Sequence, residues 1–137
     1  MWFSREQFRV CSDLKTWGLK PRFEVGDIVA RGFADLGFEE FQVLPGQKLL
    51  SLTAGTVSVL PLNHVHHFFW IPSVDECIEL LEQAGVKCIH CERRDNREWH
   101  LEVQVAGVVT VTVQQSLQLA FLSILQSVYR EQYREAS

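Results

Sequence analysis

Residues 99–114 read WHLEVQVAGVVTVTVQ, and this stretch decides the fold. Trp99, Leu101, Val103 and Val105 alternate with His100, Glu102 and Gln104, the period-two pattern of a strand with one buried face. Ala106-Gly107 forms a turn, and Val109, Val111 and Val113 then alternate with Thr110, Thr112 and Gln114 in a second strand. The expectation is a hairpin with its valines in the core. His100, Glu102, Gln104, Thr110, Thr112 and Gln114 then share one flat, polar, exposed face.

The flanking residues extend this hairpin into a unit. Ser73-x-x-Glu76, just after Pro72, is a capping box opening a helix. Cys77, Leu80, Leu81 and Ala84 are its apolar stripe, and Gly85 ends it. A strand is expected over residues 86–93, turning through Arg94-Asp95-Asn96-Arg97. Its buried face is left open, because Ile89/Cys91 compete with Val86/Cys88 for the core. Ser116 caps a last helix with Leu117, Ala120, Phe121, Ile124, Leu125 and Val128 on one side. Residues 73–137 thus read as an α-β-β-β-α two-layer sandwich, with both helices on one sheet face.

Residues 1–72 read as an N-terminal helix followed by a small β barrel. Ser4 and Gln7 form a second capping box, and Gly18 and Pro21 stop the helix. Short strands are expected over residues 23–29, with a bulge or bend at the Gly26-Asp27 break, and over 38–44, 48–52 and 56–60, with Pro45-Gly46 and Ala54-Gly55 as turns. The phrase Phe23-x-Val25-Gly26-Asp27-x-Val29 resembles the first strand of SH3-like barrels. His66-His67-Phe68-Phe69-Trp70-Ile71-Pro72 has no linker composition, so the two parts are expected to pack tightly through it. The class is α+β.

Composition narrows the function. With 137 residues, 47% hydrophobic and 22% charged, the chain is neither disordered nor fibrous. Thirteen Lys+Arg against seventeen Asp+Glu give a net charge of −4, which argues against a general polyanion binder. No run approaches the ~18 apolar residues of a membrane span. Arg5 and Glu6 interrupt any leader-like segment, and the cysteines read as reduced thiols. A cytoplasmic location is expected, with no membrane partner.

Chemistry-bearing motifs are sparse. Cys88-Ile89-His90-Cys91 is a CxxC, with His64, His66 and His67 upstream, and thiolate and imidazole are the ligands zinc prefers. On a regular strand Cys88 and Cys91 point to opposite faces, so no metal and no cofactor is expected. Cys11 and Cys77 lie on apolar helical faces, where thiols are inert packing. There is no G-x-S-x-G, P-loop, dinucleotide fingerprint or H-E-x-x-H, and no catalytic residue is nominated. The balance leans away from an enzyme. A zinc-binding or cysteine-dependent protein remains one alternative.

The α-β-β-β-α order is similar to that of a double-stranded-RNA-binding domain, making a duplex-binding module the other alternative. That family grips RNA with its first helix, its first β-β loop and a lysine cluster opening its last helix. Here the last helix opens Gln115-Ser116-Leu117-Gln118, and the first carries Asp75, Glu76, Glu79 and Glu82. Only Arg93, Arg94 and Arg97 in the loop match. Residues 73–137 hold six basic and ten acidic groups, so the whole excess of −4 falls there.

A protein partner is the expectation left. The candidate contact residues are Arg93, Arg94 and Arg97, the acidic row Asp75/Glu76/Glu79/Glu82, and Phe33 and Phe38 beside Leu36 in the Gly32–Gly37 loop. A homodimer through that aromatic patch is also admissible. The string Phe69-Trp70-Ile71-Pro72-Ser73, followed by helix, strands and helix, resembles small uncharacterised proteins of bacterial prophages and mobile elements. Several of those join a "GD-x-V" β segment to a W-[IL]-P-[ST] helix start. The resemblance implies an accessory protein that inhibits or adapts a host nucleic-acid or defence enzyme, and it carries no catalytic residue over.

Overall fold

Ser4 and Ser73 each stand three residues before a side chain that answers them, and both start helices. Ser4 Oγ accepts from the Gln7 N–H at 3.2 Å while Gln7 Oε1 accepts from the Ser4 N–H at 2.7 Å, opening α1 (Arg5–Thr16). Ser73 and Glu76 repeat the exchange at 3.2 and 2.9 Å to open α2 (Val74–Gln83). Each cap satisfies N–H groups that a helix start leaves unpaired, and is worth ~1 kcal/mol. Ser116 Oγ accepts from the Leu119 N–H at 3.3 Å ahead of α3 (Leu117–Ala136). The structure, a computed structural model, describes residues 3–33 and 37–136.

The chain divides into two units, Met1–Pro72 and Ser73–Ser137. The first holds α1, then β1 (Ile28–Phe33), β2 (Gly37–Leu44), β3 (Lys48–Ser51), β4 (Val57–Val59), a 3-10 turn (Leu62–His67) and β5 (Phe69–Ile71). The strands form one antiparallel sheet in the order β4-β3-β2-β1-β5. The expected barrel is therefore not closed: β4 and β5 are the two edges of an open sheet. Val29, Phe41, Val43, Leu49, Leu60 and Phe68 are its core.

Two boundaries in this unit differ from the sequence reading. The strand expected from Phe23 begins only at Ile28, because Val25-Gly26 is a turn with Gly26 at φ +95°. That turn is pinned by the buried Asp27 carboxylate, which accepts from Arg22 Nε at 2.9 Å, Arg22 Nη2 at 2.7 Å and the Glu24 N–H at 2.9 Å. The Arg22 guanidinium also lies 4.4 Å over the Trp70 ring, tying the turn to β5. The segment read as a junction contains that strand: Phe69, Trp70 and Ile71 pair with β1 and are buried.

The second unit is α2, β6 (Lys87–Arg93), β7 (Trp99–Val105), β8 (Val108–Gln114) and α3. Its antiparallel sheet runs β6-β7-β8. The α+β class and the α-β-β-β-α order are as the sequence indicates. Helix α3 lies on β7 and β8, while α2 makes its main contact with α3. Leu101 and Val103 of β7 are fully buried, as are Ala120, Leu122 and Leu125 of α3, which packs on that strand. Leu101→Ala should cost ~2–5 kcal/mol of unfolding free energy, as core truncations do. Val109→Thr, on an exposed position, should stay within ~0.5 kcal/mol. Urea denaturation of the two variants checks this contrast.

Candidate functional site

The hairpin between β7 and β8 determines what the second unit shows to solvent. Ala106 and Gly107 both have positive φ, +50° and +82°, the signature of a two-residue type I′ turn. Such a turn sets Val105 opposite Val108, and every further pair follows: Val103 opposite Thr110, Leu101 opposite Thr112, Trp99 opposite Gln114. Directly opposed residues share a face of the sheet. Thr110, Thr112 and Gln114 therefore stand on the helix-covered face with Leu101 and Val103. Gln114 Nε2 donates to Ser123 Oγ of α3 at 3.5 Å.

This overturns the expected polar face. His100, Glu102 and Gln104 are on the uncovered side, but their β8 neighbours there are Val113, Val111 and Val109. The valines are 42%, 56% and 54% exposed, where the hairpin reading had buried them. The open face thus carries an apolar row along one edge, beside a polar central strand. Sequence reasoning missed that row. The signal was the turn length, which makes odd positions of β7 face the same way as even positions of β8.

On β6 a second register feature rearranges the CxxC. The ladder shifts between Cys88 and His90, a bulge at Ile89, so that Cys88 opposes Val103 and Cys91 opposes Leu101. The thiols share the helix-side face, correcting the expectation that they point apart. Ile89 is exposed in the bulge, while Val86, just before the strand, is buried. His90 opposes Glu102, on the open face, and its Nε2 lies 3.1 Å from Glu92 Oε2. Cys88, His90 and Cys91 therefore do not converge.

Among the described cysteines, Cys77, Cys88 and Cys91 are all shifted away from the ionised form. Burial, and secondarily Glu76, pushes the Cys77 thiol up to about 12. Desolvation also raises Cys88, and raises Cys91 together with the neighbouring Cys88 thiol, although both are exposed. In the first unit His64, His66 and His67 cluster on the 3-10 turn with ring centroids 4.1–6.4 Å apart. Lys15 Nζ donates to the His66 carbonyl, and His66 is the main cause holding His67 below the usual histidine range. Among the described residues no group of three or more His, Cys, Asp or Glu is arranged to hold a metal ion.

The remaining nominated residues are dispersed. Arg93, Arg94 and Arg97 are exposed at the β6–β7 turn, where Arg94 Nε donates to Glu92 Oε1 at 2.8 Å and Arg97 has φ +64°. Glu92 is held below the usual carboxylate range by His90 and then Arg94. Asp75, Glu79 and Glu82 are exposed on α2, whereas Glu76 is engaged as the capping partner of Ser73. Phe38 belongs to β2, not to a loop: it pairs with Gly32 and stacks on Phe8 at 4.8 Å, with Phe69 edge-on at 5.9 Å. Leu36 and the side chain of Phe33 lie outside the described residues.

No protein-family model matches the chain, and neither does any curated protein or solved structure. Among the described residues, no helix is long and apolar enough to cross a membrane.

The thiol environments make a direct prediction, since the thiolate is the reactive form. With iodoacetamide at neutral pH, Cys88 and Cys91 should label first but more slowly than free cysteine, and faster as pH rises. Cys11 and Cys77 should label only after denaturation. Peptide mass spectrometry reads both; prompt labelling of Cys77 in the native state contradicts the burial.

Proposed function

We propose that this chain acts without catalysis, by binding another protein through the open face and the β8 edge of its C-terminal sheet. The observation that carries this reading is the exposed row Val109, Val111 and Val113, aligned on one strand. Single exposed apolar residues are ordinary, but a contiguous row rimmed by polar groups marks an interaction surface. The rim is available: His100, Glu102 and Gln104 run alongside, and His90 and Glu92 stand beyond them. Central apolar contact with a polar surround is the usual anatomy of a protein interface.

The electrostatics favour protein over nucleic acid. Lys87 is the only lysine after residue 72, and acidic groups exceed basic ones there by four. Asp75, Glu79 and Glu82 are exposed on α2, and α3 begins without a cation. Phosphate contacts require the reverse distribution. The resemblance of Phe69–Ser73 to prophage-borne accessory proteins suggests an inhibitor or adaptor of a host enzyme as the setting.

Affinity isolation from the native host, with the full chain as bait, tests the reading. A retained protein should be lost at least about tenfold with Val109→Lys/Val113→Lys, the scale of ~1.4 kcal/mol at an interface centre. Glu79→Lys/Glu82→Lys should leave it bound. Retention indifferent to the valine pair refutes this face, and salt-sensitive retention of duplex at ~0.15 M salt would favour nucleic acid instead.

A further inference from the structure

The two edges of the C-terminal sheet are built differently. The β6 edge carries Lys87, His90, Glu92 and Arg93 along seven residues, and a bulge at Ile89 breaks its regularity. Charges and bulges are the devices that keep edge strands from pairing with other chains. The β8 edge, also seven residues, has no charge, no proline and no register shift. Val108, Val109, Thr110, Val111 and Val113 are all exposed along it. It is an unprotected edge.

Its sequence also specifies what fits. Residues 109–113 read VTVTV, identical in both directions. An antiparallel copy centred on Val111 meets itself residue for residue. Val111 falls opposite Val111 of the second copy, Val109 opposite its Val113, and Thr110 opposite its Thr112. Opposed residues share a face, so valines meet valines on the open side and threonines meet threonines on the helix side. Charge complementarity separates the two edges. A β8 pair opposes no charges at all, whereas the same operation on β6 about His90 sets Lys87 against Arg93, like against like.

We infer that the chain forms a two-fold dimer through β8, joining two three-stranded sheets into one of six strands. This rests on the protein-binding reading of the same strand and names the partner as a second copy. The pairing is isologous and leaves the blunted β6 strands as the outer edges, so it closes at two copies instead of propagating. One strand pair is a small interface, and such contacts are weak and concentration-dependent.

Sedimentation equilibrium of the full chain from ~1 µM to ~1 mM, the range in which weak dimers assemble, should show a reversible monomer–dimer equilibrium. Val111→Lys should shift the dissociation constant upward at least about tenfold, and Ile89→Lys on the other edge should not. Register is read by disulfide trapping in a Cys88→Ser/Cys91→Ser background with oxidised glutathione. Opposed residues in antiparallel strands have Cα atoms ~4.5–5.5 Å apart, within disulfide reach. Val111→Cys alone should form a covalent dimer. Val109→Cys and Val113→Cys should cross-link when mixed and far less when separate. Circular dichroism confirms that each variant is folded, and the cysteine variants keep the test valid should Val111→Lys unfold. A monomer throughout the range, or a dimer that withstands Val111→Lys, overturns the inference. Monomeric chain that still captures a different protein through the valine row overturns it too, while leaving the protein-binding reading intact.

Discussion

The C-terminal unit depends on a turn two residues long. With Ala106 and Gly107 both at positive φ, β7 and β8 can pair only so that Val105 faces Val108. Side chains alternate with period two, so this one distance fixes the face of every residue in both strands. A three-residue turn would have sent Val109, Val111 and Val113 under α3 and exposed the threonines. The buried core of the unit includes Leu101, Val103 and the α3 residues Ala120, Leu122 and Leu125 without those valines, while Thr112 is half-buried and Thr110 exposed.

Leaving a valine uncovered forgoes part of the ~1.5–3 kcal/mol that its full burial contributes. Three in a row on one strand therefore forgo that stabilisation within the unit. The asymmetry of the edges sharpens the point. The same sheet that ends in a charged, bulged β6 ends on its other side in an unbroken β8 without a single charge. A sequence indifferent to association would be expected to blunt both edges.

Much of the architecture was legible because it is local. Ser4/Gln7 and Ser73/Glu76 name their own helix starts, and Gly85 and Gly107 mark stops and turns that require positive φ. What escaped was set by pairing partners. Phe69–Ile71 has no alternation, since it is buried throughout, and so reads as junction instead of strand. Phe23–Val29 has β-forming residues, but Asp27 spends its carboxylate on Arg22 and the Glu24 N–H, and the chain turns before it pairs. The faces of β8 were misassigned for the same reason. Alternation shows that valines and threonines in β8 face opposite ways, and only the turn length shows which way.

The bulge at Ile89 illustrates why proximity of reactive residue types is insufficient for chemistry. It brings Cys88 and Cys91 to one face, removing the geometric objection to a shared ligand. The same shift sends His90 to the other face, where Glu92 and Glu102 are its neighbours. Two thiols remain, both shifted away from the thiolate by desolvation, with no imidazole from their own motif to activate them. Desolvation lowers the thiolate fraction of both, and with it their reactivity as nucleophiles at neutral pH. On the opposite side of the same sheet nothing has to ionise: apolar contact and open backbone hydrogen-bonding groups are sufficient for recognition. That contrast between the two faces is what directs the functional reading toward association.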